Sequence, residues 1–103
     1  MDTPTLDLER ITTLLRQARE ALGDGRLADA EAAAHQAAAL DPKNPRAEDI
    51  LSEVYRARGE EESARRHDDA AKRLRQEAWQ REVEAEARGQ HEWMGEAVRH
   101  THG

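Results

Sequence analysis

Three histidines near the C-terminus, His91, His100 and His102, form the one cluster of metal-ligand side chains in the sequence, with Glu92 and Glu96 beside them. His100 and His102 could offer two imidazoles to a divalent transition metal. The spacing fits no closed zinc site, and His91-Glu92 lacks the second histidine four residues on that a metalloprotease helix requires. A polar tail is therefore expected, with metal binding or metal sensing through these histidines as the alternative function. His35 and His67 read as partly exposed residues of helical hairpins. Ser52 and Ser63 have no histidine and aspartate that the sequence can place beside them for nucleophilic catalysis. The acids Glu60 and Glu62 open a helix rather than form a catalytic pair. The glycines mark helix ends or the tail, and none belongs to a phosphate-binding loop. The expectation is a protein with no enzymatic activity and no cofactor.

The chain has 103 residues, enough for one domain. Hydrophobic residues are 37%, but half of these are alanine and phenylalanine is absent, so any core must be built from small side chains. Charged residues are also 37%, with a net charge of −6, which argues against nucleic acid, because neutralising phosphate needs a basic surface. No cysteine is present, so there is no disulfide framework. Residues 1–20 show no cationic start leading into an apolar run, and no stretch approaches the ~20 apolar residues that span a bilayer. These features predict a cytoplasmic protein with no membrane partner.

Thr3-Pro4 is a helix start, threonine as N-cap and proline at the first helical position. Leu8, Ile11, Leu15, Ala18 and Leu22 follow at steps of three or four and predict one buried face. Gly23-Asp24-Gly25 ends this helix. A second is predicted from Leu27 to Leu40, lined by Ala30, Ala34, Ala37 and Ala38 and stopped by Asp41-Pro42. Asn44-Pro45 restarts the chain, and a third helix carries Ala47, Ile50, Leu51, Val54 and Tyr55 up to Gly59. The fourth, from about Glu61 to Arg88, contains no proline and is expected to end at Gly89, with a helical remnant from Gln90 to Val98 and a disordered tail from Arg99. Acid-before-base pairs four apart, Glu61–Arg65, Glu62–Arg66, Asp68–Lys72, Asp69–Arg73, Glu77–Arg81 and Glu84–Arg88, predict a ladder worth about 0.2–0.5 kcal/mol per pair.

Landmarks recur 34 residues apart: Gly25 as Gly59, Ala30 as Ala64, Ala37 as Ala71. That period is the mark of a helix–turn–helix repeat. Residues 11–44, with Leu14, Ala18, Ala21, Gly25, Ala30, Ala34, Ala37 and then Leu40-Asp41-Pro42, resemble a tetratricopeptide repeat. Residues 45–78, with Leu51-Ser52, Tyr55, Gly59, Ala64 and Ala71, resemble a second copy. Ala34 and Asp68 stand where the family prefers an aromatic, and Gln76 where the second copy would close with proline. The resemblance implies an all-α stack of antiparallel helix pairs acting as a protein-interaction scaffold. Its first helices would line a concave face for a protein or peptide, here Thr12, Leu15, Arg19, Leu22, Arg46, Asp49, Glu53 and Arg56. Some members clamp a C-terminal carboxylate with lysine and asparagine. Leu15, Arg19 and Ile50 stand at those places, so that activity is not carried over.

On the fourth helix Ala64, Ala71, Leu74, Ala78 and Ala85 form one stripe, while Trp79, Val83 and Ala87 form another, rotated well away from it. Either the helix breaks near Gln76 and folds back as a cap, or it runs on and offers Trp79, Val83, Trp93 and Met94 for self-association, most simply as a two-fold homodimer.

Overall fold

The computed structural model describes the backbone of residues 4–102 and the side chains of residues 7–89. Within it are four helices and no strand: α1 (Pro4–Gly23), α2 (Leu27–Leu40), α3 (Pro45–Ala57) and α4 (Glu61–His102). Each helix packs on the next in sequence, and α1 also touches α3. The molecule is elongated, 66 × 37 × 20 Å, because α4 runs on far past the other helices.

The turns explain the period. After α1 the amide of Arg26 donates to the Ala21 carbonyl at 2.8 Å and that of Gly25 to Leu22 at 3.1 Å. After α3 the amide of Glu60 donates to Tyr55 at 2.8 Å and that of Gly59 to Arg56 at 3.0 Å. Both are Schellman motifs, which need a left-handed residue just past the helix. Gly25 and Gly59 supply it, at φ 78° and 81°. At the start of α3 the Asn44 carboxamide oxygen accepts from the Arg46 amide at 3.0 Å, the expected N-cap ahead of Pro45.

The core is thin and alanine-rich. Ile11, Leu14, Leu15, Ala18 and Ala21 of α1 meet Ala30, Ala33, Ala34 and Ala37 of α2, which in turn meet Ala47, Ile50, Leu51 and Val54 of α3. Ala64 and Ala71 bury α4 against α3, where Ser52 is the small facing residue. Its hydroxyl donates to the Asp49 carbonyl at 2.9 Å, which permits its burial.

Four expectations are corrected. Leu8, read as part of the buried face, is 60% exposed. Gly89 does not end α4; the backbone is helical to His102. A glycine inside a helix costs only about 1 kcal/mol against alanine, and no proline follows to enforce a stop. The helix is likewise unbroken at Gln76, which removes the fold-back alternative. Of the expected ladder only Glu62–Arg66 closes, at 3.8 Å. Glu61 and Asp68 instead turn to Arg56 of α3. The other pairs are exposed, where solvation and side-chain entropy cancel a small Coulomb gain.

Two stability predictions follow from this geometry. No atom lies within 4 Å of a methyl group built on Gly25 or Gly59, so substitution there costs conformation rather than space. Gly25→Val and Gly59→Val should each lose more than about 1 kcal/mol, and Asn at either site, which tolerates the left-handed region, distinctly less; thermal unfolding followed by circular dichroism reads the order.

Ala30 is wholly buried between helices, whereas Ala28 is exposed. Ala30→Leu should therefore cost about 1–3 kcal/mol in denaturant unfolding while Ala28→Leu stays near zero.

Candidate functional site

A groove of about 400 Å³ opens between α1 and the start of α3, closed at one side by the turn joining α2 to α3. Its floor is Leu8, Ile11 and Leu15. Its polar rim carries Arg16, Arg19 and Arg46 against Glu20 and Asp41. The spacing on α1 positions these side chains: Leu8, Ile11 and Leu15 share one stripe, and Thr12, Arg16 and Arg19 flank it one residue or one turn away. Arg16 approaches Glu20 at 3.9 Å. Neither Arg19 nor Arg46 makes an ion pair with any described residue.

Of the residues expected on a concave face, Thr12, Leu15, Arg19 and Arg46 come together in this groove. The Thr12 hydroxyl donates back to the Leu8 carbonyl at 2.9 Å, so it is partnered within its own helix. Leu22 packs half-buried against the core. Glu53 is exposed outside the groove. Asp49 and Arg56 are held by α4: Arg75 grips Asp49 in a bidentate pair with one arm at 3.1 Å, and Arg56 reaches Asp68 at 2.8 Å and Glu61 at 3.2 Å. Trp79 and Val83 are 62% and 40% exposed. The side chains of Trp93 and Met94, and those of His91, His100 and His102, lie outside the described residues.

The opposite edge of α3 carries a second polar cluster. Tyr55 donates its hydroxyl to Glu31 of α2 at 2.6 Å, and Arg58 holds the same carboxylate at 2.8 Å while its guanidinium lies 5.7 Å over the tyrosine ring. His35 approaches Glu31 at 3.7 Å. On the other face of Tyr55 the His67 ring of α4 stacks with centroids 5.2 Å apart, and its Nδ1 sits 2.6 Å from Glu48. A carboxylate can only accept, so Nδ1 carries a proton. His67 is partly exposed, as expected, and also serves as a clasp between α3 and α4. The Tyr55 bond, then the Arg58 bond, hold the Glu31 carboxyl below its usual range, and Glu31 in turn raises the Tyr55 hydroxyl. Arg56 holds the Asp68 carboxyl below its usual range. Every group in this cluster has a structural partner, and no group of three or more acids and histidines among the described residues could hold a metal ion.

The groove, by contrast, has apolar floor and unspent positive charge. Sequence reasoning missed Arg16, Leu8 and Ile11 as lining residues. Their signal was available: two arginines three apart beside an apolar stripe in a chain of net charge −6.

The architecture and its open face define an all-α helical protein with a surface groove and a projecting helix. No protein-family model, no curated protein and no solved structure matches the chain. No described helix is long and apolar enough to cross a membrane.

Because the folded pKa of Glu31 is depressed, its contribution is present above the ordinary carboxylate range and is lost as pH falls through the folded value. Glu31→Gln should therefore destabilise the protein at neutral pH, by about 1 kcal/mol given a quarter-exposed carboxylate, and flatten the acid side of its stability profile; urea unfolding across the acid range checks both.

Proposed function

We propose that this protein is a non-enzymatic interaction module of the tetratricopeptide kind, and that its α1–α3 groove takes an acidic, amphipathic segment of a protein partner. The observation that carries this reading is the pairing of an apolar floor, exposed Leu8 backed by the buried Ile11 and Leu15, with two arginines that make no ion pair among the described residues, Arg19 and Arg46. In a chain of net charge −6, uncommitted arginines beside apolar surface are a local inversion of the general field. Such a groove fits a partner helix whose apolar face covers the floor and whose flanking carboxylates meet the guanidinium groups, the helix-in-groove mode of recognition. The resemblance to tetratricopeptide repeats supports the same face, since the first helix of each pair would line it. The two Schellman turns, hydrogen-bonded alike 34 residues apart, are consistent with that register.

The test is a titration of the labelled protein with a designed helical peptide that bears a leucine stripe flanked by glutamates. Amide signals of Ile11 to Arg19 and of Arg46 should shift, the affinity should fall severalfold between low and physiological salt, and the same peptide with lysine for glutamate should leave the spectrum unchanged. Equal binding of both peptides would remove the electrostatic half of the reading, and no binding of either would remove the groove as a docking face.

A further inference from the structure

We infer that the segment which fills the groove is α4 of a second copy of this chain, from about Glu77 to Gly89, in a reciprocal two-fold dimer; this rests on the groove reading above and names its partner. Past Ala78 every described residue of α4, from Trp79 to Gly89, is exposed. Its described large hydrophobic side chains that stand exposed, Trp79 and Val83, are four apart and form one stripe. Glu82 and Glu86 lie along one edge of that stripe, also four apart. Neither acid has a base three or four residues away, unlike Glu77 with Arg81 and Glu84 with Arg88. Two like charges one turn apart disfavour the helix unless something opposite meets them. The groove presents the matching half: apolar floor, with Arg19 and Arg46 unpaired.

The geometry excludes the chain's own helix and favours a two-fold axis. Arg75 of α4 is locked to Asp49 of α3. Arg46 stands one turn before Asp49 and Trp79 one turn after Arg75, and α3 and α4 run in opposite directions, so Trp79 leaves the body level with the Arg46 end of the groove. An unbroken helix then carries the remaining residues away from that groove. A second copy turned about an axis between groove and extension lays each extension across the other's floor, which closes the assembly and leaves no open end.

Charge exchange tests this on the full-length protein. Sedimentation equilibrium at tens of micromolar should give a dimer for the wild type. Arg19→Glu with Arg46→Glu should give a monomer, as should Glu82→Arg with Glu86→Arg, with circular dichroism unchanged since all four side chains are exposed. Mixing the two variants in equal amounts should restore a dimer of unlike chains, because each groove then meets an opposite charge. The two tryptophans, Trp79 and Trp93, are both on α4, so blue-shifted emission on mixing reads the same event. A monomeric wild type, or a mixture that stays monomeric, would overturn the proposal. So would a dimer that survives groove reversal but dissociates on Trp79→Asp with Val83→Asp, since α4 would then pair with α4. In those cases the groove's binding of an acidic helix still stands or falls on the peptide titration alone.

Discussion

Close approach of helix backbones across alanine is the constraint on which this structure rests. Ala30, Ala34 and Ala37 are almost wholly buried on α2, with Ala18 and Ala21 facing from α1 and Ala47 from α3. Small side chains let helices come near enough for dispersion contacts along their length, but each contributes little apolar area. The core therefore has no large reserve, and its bulk is limited to Ile11, Leu14, Leu15, Ile50, Leu51 and Val54. Anything larger at the alanine positions would separate the helices that form the groove.

A core of that kind must be framed by polar contacts, and α3 is where they attach. Glu48 and Tyr55, seven residues apart, lie on one edge of α3 and hold α4 and α2 through His67 and Glu31. Asp49 and Arg56, again seven apart, lie on the other edge and hold α4 through Arg75 and Asp68. Between these edges Ser52 keeps the contact with Ala64 and Ala71 tight. The direction in which α4 leaves the body is set by this two-sided grip together with the buried contact of Ala64 and Ala71. The groove on α1 has no such frame across its mouth, so its arginines remain available.

Helix limits were legible in the sequence wherever a local signal fixes them. Gly25, Gly59, Asp41-Pro42 and Asn44-Pro45 act within a few residues, through a left-handed turn, a missing amide or a cap, and α2 spans Leu27–Leu40 as its pattern predicts. Gly89 misled because a glycine ends a helix only where the chain has reason to turn, and nothing beyond it supplies one. Partners between helices were illegible for a different reason. Whether Asp68 bonds Lys72 on its own helix or Arg56 on the next depends on the rotation of α4 about its axis, which spacing within α4 does not encode. The same holds for His67, whose stacking on Tyr55 requires two helices to be placed first. Thr12, Leu15, Arg19 and Arg46 come together in one groove because their places follow from α1 and the start of α3; of the other four expected residues, Asp49 and Arg56 are held by α4, Leu22 packs on the core and Glu53 is exposed elsewhere.

The exposed stretch of α4 from Trp79 to Gly89 follows from composition rather than from packing. Isolated helices below roughly 12–15 residues are marginal in water, and this one grows from a turn already anchored on α3, so nucleation is supplied by the body. Its residues past Ala78 are mostly glutamate, alanine, arginine and glutamine, which favour helix with no tertiary contact. Trp79 and Val83 are the exceptions, since neither gains from being exposed and valine is a poor helix former. A helix held out by propensity but carrying two bulky apolar residues is ordered before it meets anything. Little conformational entropy is then left to lose in any contact this segment makes.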